Sequence, residues 1–159
     1  MKQKITPHLW FDDNAEEAIA LYTSLFPDSR LVAKHTLENS GPRRDQRVET
    51  FEFELAGQSF LAINGGKVPF QFNDALSLSI DVKNQQELDT IWAALLKDGG
   101  KEQECGWITD RFGLCWQVVP DILDPLLHSS DKAKADRVMQ AMLGMKKLSF
   151  AGLEAAAKG

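Results

Sequence analysis

Residues 5–26, ITPHLWFDDNAEEAIALYTSLF, predict a β-strand followed by an amphipathic helix. Residues 5–11 form an aromatic and apolar run that ends at Asp12, Asp13 and Asn14, residue types that favour a helix N-cap. Apolar side chains then recur at spacings of three and four, as they do on one face of a helix. These are Ala15, Ala18, Ile19, Tyr22, Leu25 and Phe26. Pro27 ends the pattern, so the stretch predicts a βα unit.

Three further strands are predicted at residues 31–37, 48–55 and 59–63. The second alternates between Thr50, Glu52 and Glu54 on one side and apolar residues on the other, which is the pattern of a strand with one buried face. A polar loop at residues 39–45 and a tight turn at 56–58 separate the three strands, and Asn-Gly-Gly at 64–66 closes the last one. The predicted order of this first module is βαβββ.

The same order restarts in the second half of the chain. Residues 75–82 alternate apolar with small polar side chains, and Asn84 is a candidate cap for a second amphipathic helix. Strands are predicted at 101–105, 107–110 and 114–119. We therefore predict an α+β fold in one domain, 1–159, with paired βαβββ modules at about 4–66 and 74–120. Each helix should cover one face of its sheet and leave the other face to curve around a cleft.

Past Pro120 the pattern becomes helical through residues 121–157. Asp131 is a candidate cap for a helix with Ala135, Val138 and Met142 on one face, and a second short helix is predicted over residues 149–157. We expect this C-terminal extension to pack on the sheet or on a partner subunit.

Composition narrows the function classes. Hydrophobic residues make up 43% and charged residues 26% of the chain, which is an ordinary globular balance and excludes a disordered one. The net charge of −5 argues against a nucleic-acid partner, because a phosphate-binding surface needs clustered cations. Cys105 and Cys115 form no CxxC pair, and no apolar stretch is long enough for a signal peptide or a membrane span. We therefore expect a cytoplasmic protein without disulfides or membrane contact.

Four segments resemble the PhnB-like proteins, often labelled 3-demethylubiquinone-9 3-methyltransferase domain proteins. They are ITPHLWFDDNAEEAIALYTSLFPDSR, FLAINGG, CGWITDRFGLCWQVVP and RVMQAMLGMKKLSFAGLEAA. This family belongs to the vicinal oxygen chelate superfamily, together with glyoxalase I, bleomycin-resistance proteins and extradiol dioxygenases. The resemblance implies a paired βαβββ fold, a homodimer and deep clefts formed by the sheets.

The metal enzymes of that superfamily hold a divalent ion with four strand-borne ligands, usually His, Glu or Gln. The matching positions here are Pro7, Phe60, Ser77 and Gln117, of which only Gln117 is a usual ligand type. A shift by one residue would bring His8 to the first position, although a strand histidine facing solvent is the simpler interpretation. The resemblance therefore predicts a site without a metal.

The methyltransferase label predicts a glycine-rich turn after the first strand, and that turn is instead Asp12, Asp13 and Asn14. We expect no cofactor and a metal-free protein that binds a small molecule of unknown identity. Two alternatives stay open. One is a metal-dependent lyase, isomerase or dioxygenase using Gln117, His8 and a glutamate between Glu49 and Glu54. The other is a structural or regulatory dimer without a ligand.

The candidate pocket residues are large aromatic or polar side chains on predicted strands: Trp10, Glu52, Asn64, Ser77, Trp107, Trp116 and Gln117. Each has a simpler interpretation, which is core packing for the tryptophans, solvent exposure for Glu52 and a turn for Asn64. Asp110 is predicted to shape a hairpin through its carboxylate. Cys105 is read as a small hydrophobe rather than a nucleophile, and Arg43 and Arg44 as part of a solvated loop.

Overall fold

A computed structural model describes residues 4–40 and 46–159. The chain divides into two compact units, Met1–Phe70 and Gln71–Gly159, and each is described by itself. The boundary lies between the two predicted modules. No helix of the described residues is long and apolar enough to cross a membrane.

Unit 1 contains the first predicted βαβββ module. Its elements are β1 (His8–Phe11), α1 (Ala15–Leu25), β2 (Arg30–Ser40), β3 (Gln46–Leu55) and β4 (Gln58–Asn64). The sheet has the order β1-β4-β3-β2, with β1 parallel to β4 and the other pairs antiparallel. β2 runs to Ser40, further than predicted, and the rest of the predicted loop, with Arg43 and Arg44, lies outside the described residues.

The sheet of unit 1 has one buried face and one distal face, by which we mean the face turned away from the helix of the unit. Phe51, Phe53 and Ala62 are at most 1% exposed and pack on the side of α1, where Ala18 and Tyr22 are also buried. The alternating residues of β3 lie on the distal face, as the sequence predicts. Burial of these large side chains supplies most of the stability of the unit.

Unit 2 repeats the order in its first half. Its elements are β5 (Ser77–Val82), α2 (Gln85–Leu96), β6 (Lys101–Glu102), β7 (Trp107–Thr109) and β8 (Cys115–Pro120). The sheet has the order β5-β8-β7-β6, with β5 parallel to β8. The predicted cap of α2 is confirmed, because the Asn84 side chain accepts a hydrogen bond from the backbone N–H of Glu87.

The second half of unit 2 is the helical C-terminal extension. It contains α3 (Leu123–Leu127), α4 (Lys132–Leu143) and α5 (Phe150–Lys158). Asp131 caps α4 as predicted, and Ser149 caps α5. The segment between α4 and α5 is held on the turn between β6 and β7, where the backbone N–H groups of Cys105 and Gly106 donate to the carbonyls of Met145 and Lys146. The extension therefore packs on its own sheet.

Candidate functional site

Three of the predicted pocket residues meet on the distal face of unit 2. The Gln117 amide Nε2 donates a hydrogen bond to Ser77 Oγ at 2.8 Å. Trp107 lies beside them, since it is the direct cross-strand partner of Gln117 in the β7–β8 pair. All three side chains are half-buried. Ser77, Trp107 and Gln117 therefore form one surface.

A cavity of about 660 Å³ opens over Trp107 and Gln117, whereas Ser77 lies beside its lining and contacts it through Gln117. Its lining combines apolar, aromatic and polar side chains from the sheet and the extension: Ser79, Asp81, Cys105, Trp107, Gln117, Val119, Pro120, Asp121, Leu123, Asp124, Pro125 and Met142. Small-molecule sites typically measure about 300–1,000 Å³ and combine an apolar wall with a few polar groups. The size and lining of this cavity suit such a ligand.

Ser79 and Asp81 belong to this cavity although they are absent from the predicted pocket set. They alternate with Ile80 and Val82 along β5, so the period-two pattern of that strand already placed them on the face of Ser77. No comparable sequence pattern identifies the lining residues of the extension, because their place at the cavity depends on where its helices pack.

A polar cluster adjoins the surface at the start of β8. The Cys115 thiol donates to Asp74 Oδ1 at 2.7 Å, and Gln103 Nε2 donates to Asp74 Oδ1 at 3.2 Å and to Thr109 Oγ1 at 2.7 Å. Burial, and then the bond to Asp74, raise the pKa of the Cys115 thiol. The thiol bond, followed by the Gln103 bond, lowers the pKa of Asp74. Cys115 is therefore held as a neutral donor and is a poor nucleophile.

Cys105 is the second free cysteine, and it lines the cavity. Its backbone has a φ of 58°, a left-handed conformation that few residues other than glycine adopt. That conformation aims its N–H at the Met145 carbonyl, 2.8 Å away. Cys105 thus joins the sheet to the extension at the edge of the cavity.

Trp116 lies on the opposite face of the same sheet. Its side chain is 1% exposed on the side of α2, and its indole Nε1 donates to Asp110 Oδ2 at 2.9 Å. Asp110 Oδ1 also accepts from the backbone N–H groups of Phe112 and Leu114. These bonds confirm the prediction that Asp110 shapes the hairpin. Trp116 is a core residue on the α2 side of the sheet and does not line the cavity, so its assignment to the pocket is corrected.

In unit 1, Trp10 and Glu52 lie on the distal face. The Trp10 indole donates to the Gly66 carbonyl at 3.1 Å and meets the Phe70 ring edge-on at 5.5 Å between centroids. Glu52 is exposed and lies 3.8 Å from the His35 imidazole. Glu52 lines a cavity of about 300 Å³ in this unit.

Asn64 supports the helix of unit 1. Its Oδ1 accepts from the backbone N–H of Ala15 at 2.9 Å, and its Nδ2 donates to Glu49 at 3.2 Å. The N-cap position falls on Asn14, within the predicted triplet of residues 12–14, but among the described residues the Asn14 side chain makes no cap bond and Asn64 supplies it instead. The bond from Asn64, and then Lys34, lower the pKa of Glu49 against the opposing effect of burial. Asn64 also lines a cavity of about 340 Å³.

The side chains at the implied metal positions do not fit a divalent ion. Phe60 is buried on the α1 side of β4, so the distal-face residue there is Leu61, which has no donor atom. Leu61 is the cross-strand partner of both His8 and Glu52, so it lies between them. Two strand spacings therefore separate His8 from Glu52 by about 10 Å. Among the described residues, no three His, Cys, Asp or Glu side chains are grouped so that they could hold a metal.

Comparisons with proteins of known structure identify the type of fold. A crystal structure of a protein from Pseudomonas aeruginosa is 23% identical, with a TM-score of 0.58 over 75% of this chain and 98% of that one. A fosfomycin resistance protein, FosX, from Listeria monocytogenes is 13% identical, with a TM-score of 0.55 over 81% of this chain and 99% of that one. No curated protein matches significantly. The first two likenesses establish a glyoxalase/bleomycin resistance type of α+β fold with added C-terminal helices.

The family is established by two further matches. A "Putative 3-demethylubiquinone-9 3-methyltransferase, PhnB protein" from Bacillus cereus is 32% identical, with a TM-score of 0.65 over 74% of this chain and 99% of that one. The family model described as 3-demethylubiquinone-9 3-methyltransferase matches residues 3–119. This chain therefore belongs to the 3-demethylubiquinone-9 3-methyltransferase family of PhnB-like proteins, within the vicinal oxygen chelate superfamily.

Proposed function

We propose that this protein binds a small organic molecule in the cavity on the distal face of unit 2, without a divalent metal. The observation that carries the proposal is that Trp107 and Gln117 line a cavity of about 660 Å³, with the Gln117 amide held by a hydrogen bond to Ser77. An amide and a hydroxyl can orient a ligand through hydrogen bonds, and an indole offers a flat apolar surface for it.

The hydrogen-bonding capacity of the pair supports this role. Gln117 donates one amide hydrogen to Ser77 and keeps its carbonyl oxygen and a second hydrogen as potential contacts. The bond fixes the orientation of the amide before a ligand arrives, which lowers the entropic cost of binding. Gln117 is the position where the superfamily's metal enzymes carry a ligand, and here its neighbour is a hydroxyl rather than a histidine or carboxylate.

The methyl transfer named by the family label is not proposed. The turn after β1 carries Asp12 and Asp13 in place of glycines, and the first N–H group of α1, on Ala15, is already taken by Asn64. Those residues do not fit S-adenosylmethionine, which is bound in most methyltransferases where the backbone of a glycine-rich turn approaches it closely. The sheets are also small and mixed.

A fragment screen read by NMR tests the proposal. The indole N–H signal of Trp107, assigned with Trp107→Phe, should shift with at least one class of uncharged or charged aromatic fragment in protein stripped of metal by a chelator. Gln117→Ala should weaken that binding, whereas Gln140→Ala, at an exposed position on α4, should leave it unchanged. Binding that requires an added divalent cation would overturn the metal-free part, and the absence of any shift at Trp107 would overturn the site.

We also infer that the chain forms a homodimer, as the family resemblance implies. The support is the edge strand β2, on which Leu31, Val32 and Leu37 are 42%, 48% and 50% exposed. Long exposed edge strands with apolar side chains tend to pair with another chain. Sedimentation equilibrium should give twice the monomer mass of 17.8 kDa, and Val32→Lys should shift the mass toward the monomer. A monomer at ~100 μM contradicts the inference, because the dissociation constant of the dimer would then lie above that concentration.

A further inference from the structure

We propose that the C-terminal extension selects the ligand of this cavity, and that it favours a small organic cation with an aromatic or apolar part. The proposal rests on the proposed function and names the chemical class of its ligand. Its basis is the position of the extension, its attachment to the sheet and the charges that it brings to the cavity.

Most of the extension lies beyond the part of the chain that the family model matches. The family model ends at residue 119, and the Bacillus cereus protein is covered over 99% of its length by only 74% of this chain. Six lining residues nevertheless come from beyond that point: Pro120, Asp121, Leu123, Asp124, Pro125 and Met142. One wall of the cavity is therefore specific to chains that carry the extension.

This wall is fixed to the sheet by short contacts. The N–H groups of Cys105 and Gly106 donate to the carbonyls of Met145 and Lys146 at 2.8 and 2.7 Å. The next side chains hold the same segment, because Lys147 pairs with Asp89 of α2 at 2.7 Å and Leu148 is fully buried. Since α4 ends immediately before this segment, its last turn, with Met142, is held against the cavity.

The charges of the lining are all of one sign. Asp81, Asp121 and Asp124 are its ionisable carboxylates, and two of the three come from the extension. Among the described residues that line the cavity, there is no Lys, Arg or His. His128 lies 3.1 Å from Asp124 and offsets that carboxylate only when the imidazole is protonated. All the charged side chains of the lining are therefore acidic, an arrangement that attracts cations and repels anions.

The apolar part of the ligand has two partners in the lining. Trp107 presents its indole from β7, and Met142 presents a flexible thioether from α4. An aromatic face attracts a cation placed over it, and a methionine sulfur packs well against an aromatic ring. An aromatic amine satisfies the carboxylates, the indole and the thioether together, whereas an aromatic carboxylate satisfies only the last two.

Three probes of one shape test this inference: 1-naphthylmethylamine, 1-naphthylmethanol and 1-naphthoate. Each is titrated into the full chain at pH 7.5 and followed through the Trp107 indole signal. We expect the amine to bind at least threefold more tightly than the alcohol, and the carboxylate to bind most weakly. If the alcohol or the carboxylate binds as tightly as the amine, the inference fails while the proposed function stands. If none of the three shifts Trp107 up to its solubility limit, the inference is wrong, and the broader fragment screen alone decides the proposed function.

Charge removal on the extension separates its role from that of the sheet. Asp121→Asn with Asp124→Asn should weaken amine binding about threefold to tenfold and leave alcohol binding unchanged, since each exposed carboxylate adds only a modest attraction for a cation. The matched control is Asp136→Asn with Glu154→Gln, which removes the same charge from exposed positions of the extension outside the lining. Equal loss in both double variants would assign the effect to net charge and overturn the role of the wall. Met142→Ala should weaken binding of the amine and binding of the alcohol to a similar extent.

Discussion

Asn64, at the end of β4, caps a helix that begins 49 residues earlier, because its Oδ1 accepts a hydrogen bond from the N–H of Ala15 at 2.9 Å. Asn14 occupies the N-cap position itself, but within the described residues its side chain makes no cap bond. The contact joins the helix to the sheet at the edge where β1 and β4 run parallel. Helix capping in unit 1 is thus a tertiary interaction.

Asn64→Ala should lower the free energy of unfolding by about 1–2 kcal/mol, because it removes a cap and leaves the Ala15 N–H without that partner. Asn14→Ala is the matched control and should cost less than about 0.5 kcal/mol. Urea unfolding followed by circular dichroism measures both. A larger loss for Asn14→Ala would show that the local residue caps the helix after all.

Acid should destabilise the protein partly through Glu49. The Asn64 amide, aided by Lys34, lowers the pKa of the Glu49 carboxyl below the value of 4.5 typical of an unfolded chain. Its contribution to stability is therefore present above about pH 4.5 and is lost as the pH falls through the lower folded-state pKa. The unfolding free energy of Glu49→Gln should fall less steeply between pH 5 and pH 3 than that of the native protein.

Asn64→Ala should reduce the same acid dependence, because it removes the largest cause of the pKa shift. Asp74 and Asp89 also have lowered pKa values, so part of the slope should survive in both variants. An unchanged slope in Glu49→Gln would contradict the assignment.

Asp110 should be among the most sensitive positions of unit 2. It is 3% exposed and accepts from two backbone N–H groups and from the Trp116 indole. Asp110→Ala should lower the unfolding free energy by about 3 kcal/mol, because buried donors lose a charged acceptor. Asp136→Ala, on the exposed face of α4, should change it by less than about 0.5 kcal/mol. Thermal unfolding of the pair checks the difference, and similar losses would contradict it.

Alternation along the chain was enough to predict the order of elements and the faces of β3 and β5. In β3 only one side is apolar, so Glu52 and Glu54 could be assigned to the distal face. The βαβββ order in each unit is confirmed by the elements of the structure. The helix caps at Asn84 and Asp131 could also be predicted, because both depend only on backbone groups three residues away.

β8 shows where alternation fails. It lies inside its sheet, between β5 and β7. Trp116 and Val118 are buried on the side of α2, and they alternate with the half-buried Gln117 and Val119 on the side of the cavity. When large or apolar side chains occur on both sides of a strand, the sequence pattern does not show which face packs in the core. Trp107 and Gln117 could be predicted as pocket residues from their side-chain types, but the sequence did not show that Trp116 belongs to the core instead. The cap from Asn64 and the cavity wall from the extension depend on packing between distant segments, which spacing does not encode.

The anchor between the sheet and the extension depends on Gly106. Its φ is 84°, and a Cβ there would lie 2.9 Å from the Leu148 Cδ1 and 3.0 Å from the Val118 carbonyl oxygen. Gly106→Ala therefore combines left-handed backbone strain with a clash against backbone and a buried side chain. We expect a loss of about 3 kcal/mol in unfolding free energy, of which about 1 kcal/mol is the backbone strain.

Gly57→Ala isolates the backbone contribution, since Gly57 has a similar φ of 78° and a Cβ there would meet nothing within 4 Å. It should cost only about 1 kcal/mol. Amide hydrogen exchange gives the second measurement, because the N–H groups of residues 105 and 106 bond to the segment that follows α4. Their exchange should accelerate in Gly106→Ala and stay slow in Gly57→Ala. Since this anchor holds Met142 at the cavity, Gly106→Ala should also reduce the preference for the aromatic amine over the alcohol. If the two N–H groups exchange faster but the preference for the amine is unchanged, the cavity wall does not need the anchor.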